Sequence, residues 1–177
     1  IGKVPGRLPT TEYYKNTNRY YSPGMMLNLS IGQGENDVTI IQMARYIGII
    51  ATEGIKPRPH LILGDAAQME HVAGIRPESF RVVKNGMLKV VTEGTGRSAS
   101  IPGHLIAGKT GTAQNPHGAD HKLFVAFAPF ENPSIAIACV AENQGDRDTR
   151  AAITIVKRVL EEYFMHYPDA NVVAAAQ

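Results

Sequence analysis

A lysine, two threonines and two glycines are compressed into Gly108-Lys109-Thr110-Gly111-Thr112, the segment of this chain best equipped for chemistry. On a strand, where side chains alternate between faces, Lys109 and Gly111 share one face while Thr110 and Thr112 share the other. An ammonium and two hydroxyls can hold a carboxylate, and glycine lets a ligand approach the main chain closely. Such an edge suits an extended peptide. The plainer reading is a polar edge strand whose lysine is solvated.

Other candidates carry less. His117 and His121, with Asp120 between them, have a spacing that binds metal on a helix, but Pro116 and Gly118 read as a loop bordering the cleft. No metal site is expected. Gly32-Gln33-Gly34 and Gly94-Thr95-Gly96 lack the strand-then-helix setting of a dinucleotide fingerprint and read as turns, so no cofactor is expected. Cys139, the single cysteine, lies in the apolar run Ile135 to Val140 and reads as a buried structural thiol. Tyr13, Tyr14, Tyr20 and Tyr21 read as packing of a long loop.

The elements that must position these groups follow from periodicity. Residues 1–37 show no sustained period and are expected to be loop-rich. A buried helix is expected over 38–52, with Asp37 as its N-cap and Val38, Ile41, Met43, Ala44, Ile47 and Ile50 on its apolar face. A short strand is expected within 57–63. A second helix starts at Pro77-Glu78, buries Phe80, Val83, Met87, Val90 and Val91, and stops at Gly94 and Gly96. Strands are expected at 104–112, 123–128 and 135–141; the connections leave no room for crossover helices, so neighbours should be antiparallel. A helix over 149–167 presents Ala152, Ile155, Val156, Val159, Leu160 and Phe164, with Asp146, Arg147, Asp148 and Arg150 capping and solvating its start. Residues 169–177 are expected to form a tail. The class is α+β, an antiparallel sheet flanked by helices.

Composition sets limits. The chain has 177 residues, 44% of them hydrophobic and 19% charged, which is ordinary for a folded domain. A formal charge of +2 falls short of the dense basic field that a phosphate backbone requires, so no nucleic-acid partner is expected. No apolar run approaches the roughly 20 residues of a membrane-spanning helix. The opening at Ile1, without methionine and running directly into Pro5-Gly6-Arg7-Leu8-Pro9, reads as the interior of a longer polypeptide.

Lys109-Thr110-Gly111 extends to Lys-Thr-Gly-Thr-Ala-Gln, followed by the apolar strands and last helix; upstream, Ser30-Ile31-Gly32-Gln33-Gly34-Glu35-Asn36-Asp37-Val38-Thr39 leads into Gln42-Met43-Ala44. Together these resemble the transpeptidase domain of class B penicillin-binding proteins, with Gly24 to Ser30 most similar to the cell-elongation branch. The resemblance implies the C-terminal portion of a β-lactamase/transpeptidase-like fold. It implies a peptidoglycan D,D-transpeptidase that cross-links D-Ala-D-Ala stem peptides through an acyl-serine and is acylated by β-lactam antibiotics. Lys109 resembles the strand lysine that supports proton transfer, Thr110 and Thr112 resemble the carboxylate-binding hydroxyls, and Gly111 would let the ligand lie against the strand. The Thr112 N–H would be an oxyanion donor. It further implies no cofactor, glycan-polymerising and elongation-complex membrane proteins as partners, and a place on the periplasmic side of the inner membrane through an N-terminal anchor.

The family's Ser-x-x-Lys and Ser-x-Asn are missing here. Thr154-Ile155-Val156-Lys157 follows Lys-Thr-Gly inside a helix, with Ile155 and Val156 expected to face the core, and Tyr14-Lys15-Asn16 reads as a loop. Both motifs are expected before Ile1, and the 177 residues alone are expected to be inactive. The alternatives are a D,D-carboxypeptidase or β-lactam sensor of the same fold, and a non-catalytic peptide- or protein-binding module.

Overall fold

The computed structural model describes residues 4–17, 19–60, 68–146 and 148–168. Arg147, residues 61–63 of the expected strand and the expected tail lie outside the described residues.

Residues 1–37 do not read as loop throughout, a correction to the sequence expectation: α1 (Thr11–Asn16) and α2 (Pro23–Ser30) lie there. Each is opened by a capping oxygen, Thr10 accepting from the Tyr13 N–H and Ser22 from the Met25 N–H, which satisfies donors that a helix start leaves unpaired. They lack an apolar period because they bury almost nothing; only Tyr14 of α1 is buried, and no residue of α2. Their signal was in the caps.

Helix α3 (Ile40–Ala51) starts two residues later than expected. Thr39, not Asp37, is its cap: Thr39 Oγ1 accepts from the Gln42 N–H while Gln42 Oε1 accepts from the Thr39 N–H, a reciprocal capping box. Asp37 instead exchanges two main-chain hydrogen bonds with Arg7, at 2.7 and 2.9 Å. Nor is α3 buried along its length. Ile47, Ile50 and Ala51 are buried, but Ile40 and Ile41 are exposed. After α3, β1 (Ile55–Pro57) overlaps the expected strand at Pro57 alone and pairs antiparallel with β2 (Met69–His71), which periodicity did not reveal; residues 58–60 form no strand.

Helix α4 (Pro77–Thr92) matches its expected start, and the 3-10 turn Arg97–Ala99 follows it. Its inward row is Phe80, Lys84, Met87 and Val91, an i, i+4, i+7, i+11 pattern, so Val83 is exposed where burial was expected. Strands β3 (Ala107–Ala113), β4 (His121–Ala128) and β5 (Ile135–Ala141) form one antiparallel sheet in that order. The expected strand at 104–112 thus begins three residues later, because Gly103 turns at φ +82° and His104 is used in a bridge to Ile101.

Register divides the sheet. Thr110 opposes Phe124 and Phe124 opposes Cys139, so these share one face; Ala107 opposes Phe127 and Phe127 opposes Ala136, sharing the other. The Phe124 face packs on α5 (Ala151–His166) through Val156, Leu160 and Phe164. The Phe127 face packs on Ile47, Ile50 and Ala51 of α3 and Met87 of α4. Phe124 and Phe127 are both wholly buried, each contributing about 1.5–3 kcal/mol by removal from water. In α5 the buried row is Ala152, Ile153, Val156, Leu160 and Phe164; Ile155 and Val159 are exposed, contrary to expectation, because the helix turns Ile153 inward in their place. Its start has no side-chain cap; Asp148 accepts from the Arg150 N–H just before it. Among the described residues, no helix is long and apolar enough to cross a membrane.

Candidate active site

Strand β3 has β4 on one side and no strand on the other among the described residues. The alternation read from the sequence holds. Lys109 and Gly111 oppose Val125 and Leu123 on the Phe127 face, whereas Thr110 and Thr112 oppose Phe124 and Lys122 on the Phe124 face. Gly108 is required by packing, since a Cβ there would sit 2.6 Å from Phe124 Cζ. Gly111 is exposed; a Cβ there would meet only Leu123 Cβ, at 3.3 Å, so its smallness keeps the strand surface open.

Lys109 is exposed, yet its ammonium is directed: Nζ donates to the Thr110 carbonyl at 2.7 Å. The Thr110 hydroxyl is half-buried and paired with the Thr95 hydroxyl at 2.8 Å. Thr112 is exposed, and its carbonyl accepts from Gln33 Nε2 at 2.9 Å. In an antiparallel ladder the N–H and C=O of one residue point to the same side and successive residues alternate. Because the Thr112 carbonyl is taken from outside the sheet, Thr110 and Thr112 direct their main-chain groups to the free edge. The edge therefore gathers an ammonium and two backbone N–H donors.

The structure also brings Gln33 and Thr95 here, both from glycine-flanked segments that read as turns and carry no sequence signal of a site. Turns they are, but each aims a side chain at β3. The segment holding Gln33 is clamped: Arg7 pairs with Asp37, Arg19 with both oxygens of Glu35 at 2.9 and 3.1 Å, and Asn36 Nδ2 with the Leu29 carbonyl. Arg7 and then Arg19, donating to the Tyr13 phenol, hold it below its ordinary pKa.

The remaining candidates fall elsewhere. Asp120 accepts from the Asn115 N–H, and His121 Nδ1 accepts from the Asn143 N–H, which ties the β3–β4 loop to the loop after β5. Tyr14 is buried in α1, not in a loop, and stacks on Tyr21. Thr154 is exposed on α5, and Lys157 lies 4.0 Å from Glu161. Cys139 is half-buried on β5, and desolvation raises its thiol pKa. Hollows of about 460 Å³ beside His104 and Phe164, and about 210 Å³ beside Gly48 and Ile135, are not lined by residues 109–112.

A family model described as the penicillin binding protein transpeptidase domain matches residues 7–161. The chain belongs to that family. The transpeptidase domain of penicillin-binding protein 2 recurs among its relatives: the peptidoglycan D,D-transpeptidase MrdA of Escherichia coli K12 is 30% identical over 90% of this chain. Penicillin-binding protein 2 of Pseudomonas aeruginosa, solved in complex with WCK 5153, superposes with a TM-score of 0.76 at 35% identity, over 93% of this chain and 39% of that one. That of Helicobacter pylori, solved with MreC, gives 0.81 at 26% identity, over 94% and 32%. The α+β fold with its antiparallel sheet and flanking helices is the fold of these transpeptidase domains. The chain spans about 30% of the length of the Escherichia coli relative.

Proposed function

We propose that this chain is the Lys-Thr-Gly wall of a peptidoglycan D,D-transpeptidase of the cell-elongation type. The observation that carries the reading is the free edge of β3, where Lys109, Thr110, Gly111 and Thr112 sit in the expected alternation within a family match covering residues 7–161. In this reading a serine supplied by residues outside these 177 attacks the carbonyl carbon of the penultimate D-Ala. The peptide bond to the terminal D-Ala breaks, an ester to the serine forms, and the leaving amine takes a proton. An amine from a neighbouring stem then displaces the serine oxygen and restores the hydroxyl.

Each residue has a role. The Lys109 ammonium supplies positive potential and supports proton transfer, the Thr110 and Thr112 hydroxyls hold the substrate or drug carboxylate, and Gly111 leaves room for the ligand backbone. The Thr112 N–H donates to the oxygen that becomes negative in the tetrahedral intermediate. β-Lactams acylate the same serine. By analogy with the Helicobacter pylori complex, an MreC-like protein is a partner, beside glycan-polymerising membrane proteins, on the periplasmic side of the inner membrane.

Incubating the full-length protein and the 177-residue chain with fluorescent penicillin tests this. Covalent label on a Ser-x-x-Lys serine of the full-length protein, with none on the 177 residues, is the expected result. A folded full-length protein that takes no label would overturn the catalytic reading and favour a peptide- or protein-binding module.

A further inference from the structure

Gly32 and Gly34 adopt φ of +78° and +76°, a region open to glycine without steric cost, and they hold Gln33 between two left-handed turns. Main-chain bonds between Arg7 and Asp37, the Arg19–Glu35 pair, and Asn36 Nδ2 donating to the Gln33 carbonyl at 3.3 Å fasten this segment on several sides. From there Gln33 crosses to β3. Its Nε2 donates to the Thr112 carbonyl at 2.9 Å, and its Oε1 accepts from the Gln114 N–H at 3.5 Å. One residue of a parallel neighbouring strand meets an edge in this way, donating to the carbonyl of one residue and accepting from the N–H two residues on. The carboxamide thus stands in for a peptide unit.

The consequence is chemical. Of the outward carbonyls on this edge, that of Thr110 is held by Lys109 Nζ and that of Thr112 by Gln33, while the N–H groups of the same residues face the same edge. The edge is left rich in donors and so selects a ligand that brings carbonyl or carboxylate oxygens.

We infer that Gln33 is a positioning residue for the Lys-Thr-Gly edge: its carboxamide fixes the direction of the Thr112 main chain and ends the stretch on which an extended ligand can pair. This deepens the transpeptidase reading and rests on it. Gln33 touches no reacting atom; it acts through Thr112.

The test uses the full-length protein with Gln33→Met, which keeps the side-chain length, beside Gln33→Glu, whose carboxylate cannot donate to the Thr112 carbonyl. Stopped-flow acylation by a penicillin separates initial binding from the acylation rate, and hydrogen exchange reads the amides of residues 112–115. For both variants the acylation rate constant falls roughly five- to tenfold while the preceding dissociation constant moves less than about twofold, because orientation matters most where charge develops. For Gln33→Met, exchange at Gln114 accelerates by about fivefold or more. Unchanged exchange at Gln114, or a loss confined to the dissociation constant, overturns the inference. The exchange measurement needs no turnover, so a wild-type protein that fails to acylate counts against the transpeptidase reading and leaves this one to be decided by exchange.

Discussion

Thr95, in the turn after α4, and Thr110, at the centre of Lys-Thr-Gly, face each other with their hydroxyl oxygens 2.8 Å apart. A hydroxyl rotor has one proton and two lone pairs, so this pairing uses one of them on Thr110, either the proton or a lone pair, and leaves the rest for a ligand. Thr95→Val removes the partner at nearly constant shape. The concentration of penicillin giving half-maximal initial binding in the full-length protein should rise roughly two- to fivefold, with Thr95→Ser close to wild type, since one neutral hydrogen bond is worth about 1 kcal/mol. Wild-type affinity in Thr95→Val would remove Thr95 from the site.

The two glycines of β3 should respond in opposite ways. At Gly108 an added methyl would lie 2.6 Å from Phe124 Cζ and 3.0 Å from the Val125 carbonyl oxygen, and Phe124 is wholly buried, so Gly108→Ala should cost about 1–3 kcal/mol in denaturant unfolding. At Gly111 the nearest atom, Leu123 Cβ, is 3.3 Å from the added methyl and can yield by a few tenths of an ångström. Gly111→Ala should therefore leave the unfolding midpoint nearly unchanged and slow acylation instead. Equal stability loss in both would contradict the packing of Phe124 against Gly108.

Lys84 is a buried cation in the α3–α4 seam. Its Nζ donates to the Ala51 carbonyl and to Glu53, both at 3.1 Å, and lies 5.8 and 5.7 Å from the ring centroids of Phe127 and Phe130. Lys84→Met keeps the aliphatic cover but leaves the Ala51 carbonyl and the Glu53 carboxylate without that donor, a loss of about 2–3 kcal/mol in chemical unfolding. Arg81→Ala should cost under about 1 kcal/mol, because Arg81 is exposed and its contact with Glu53 is 3.9 Å.

Burial raises the pKa of the Cys139 thiol, which lowers the fraction present as reactive thiolate at any given pH. In the native protein its alkylation by iodoacetamide at pH 8 should be slower than in the urea-unfolded chain, and should still be climbing where the unfolded chain has levelled off. A native rate equal to the unfolded one would place Cys139 in water.

The large elements were legible where one face of a periodic segment meets the core: α4 from Phe80 to Val91, β4 around Phe124, β5 from Ile135 to Ala141, and the antiparallel order imposed by short connections. Rotation was less legible. A pattern such as Val82-Val83-Lys84 offers two ways to turn the helix, and only Glu53 and the Ala51 carbonyl, from a different helix terminus, decide that the lysine goes in. The short helices at 11–16 and 23–30 were hidden because caps rather than burial define them, and β2 because three exposed residues make no period.

The sequence by itself determined the chemistry on offer: a lysine, two hydroxyls and a bare glycine on one strand, with alternation placing them on two faces, since side-chain direction along a strand is a local property of the backbone. What only the tertiary structure decided is which groups close around that strand. Gln33 reaches Thr112 from 79 positions away and Thr95 reaches Thr110 from 15. No local pattern encodes such distances; they follow from packing α3 and α4 on the sheet, which brings two glycine-flanked turns to its free edge.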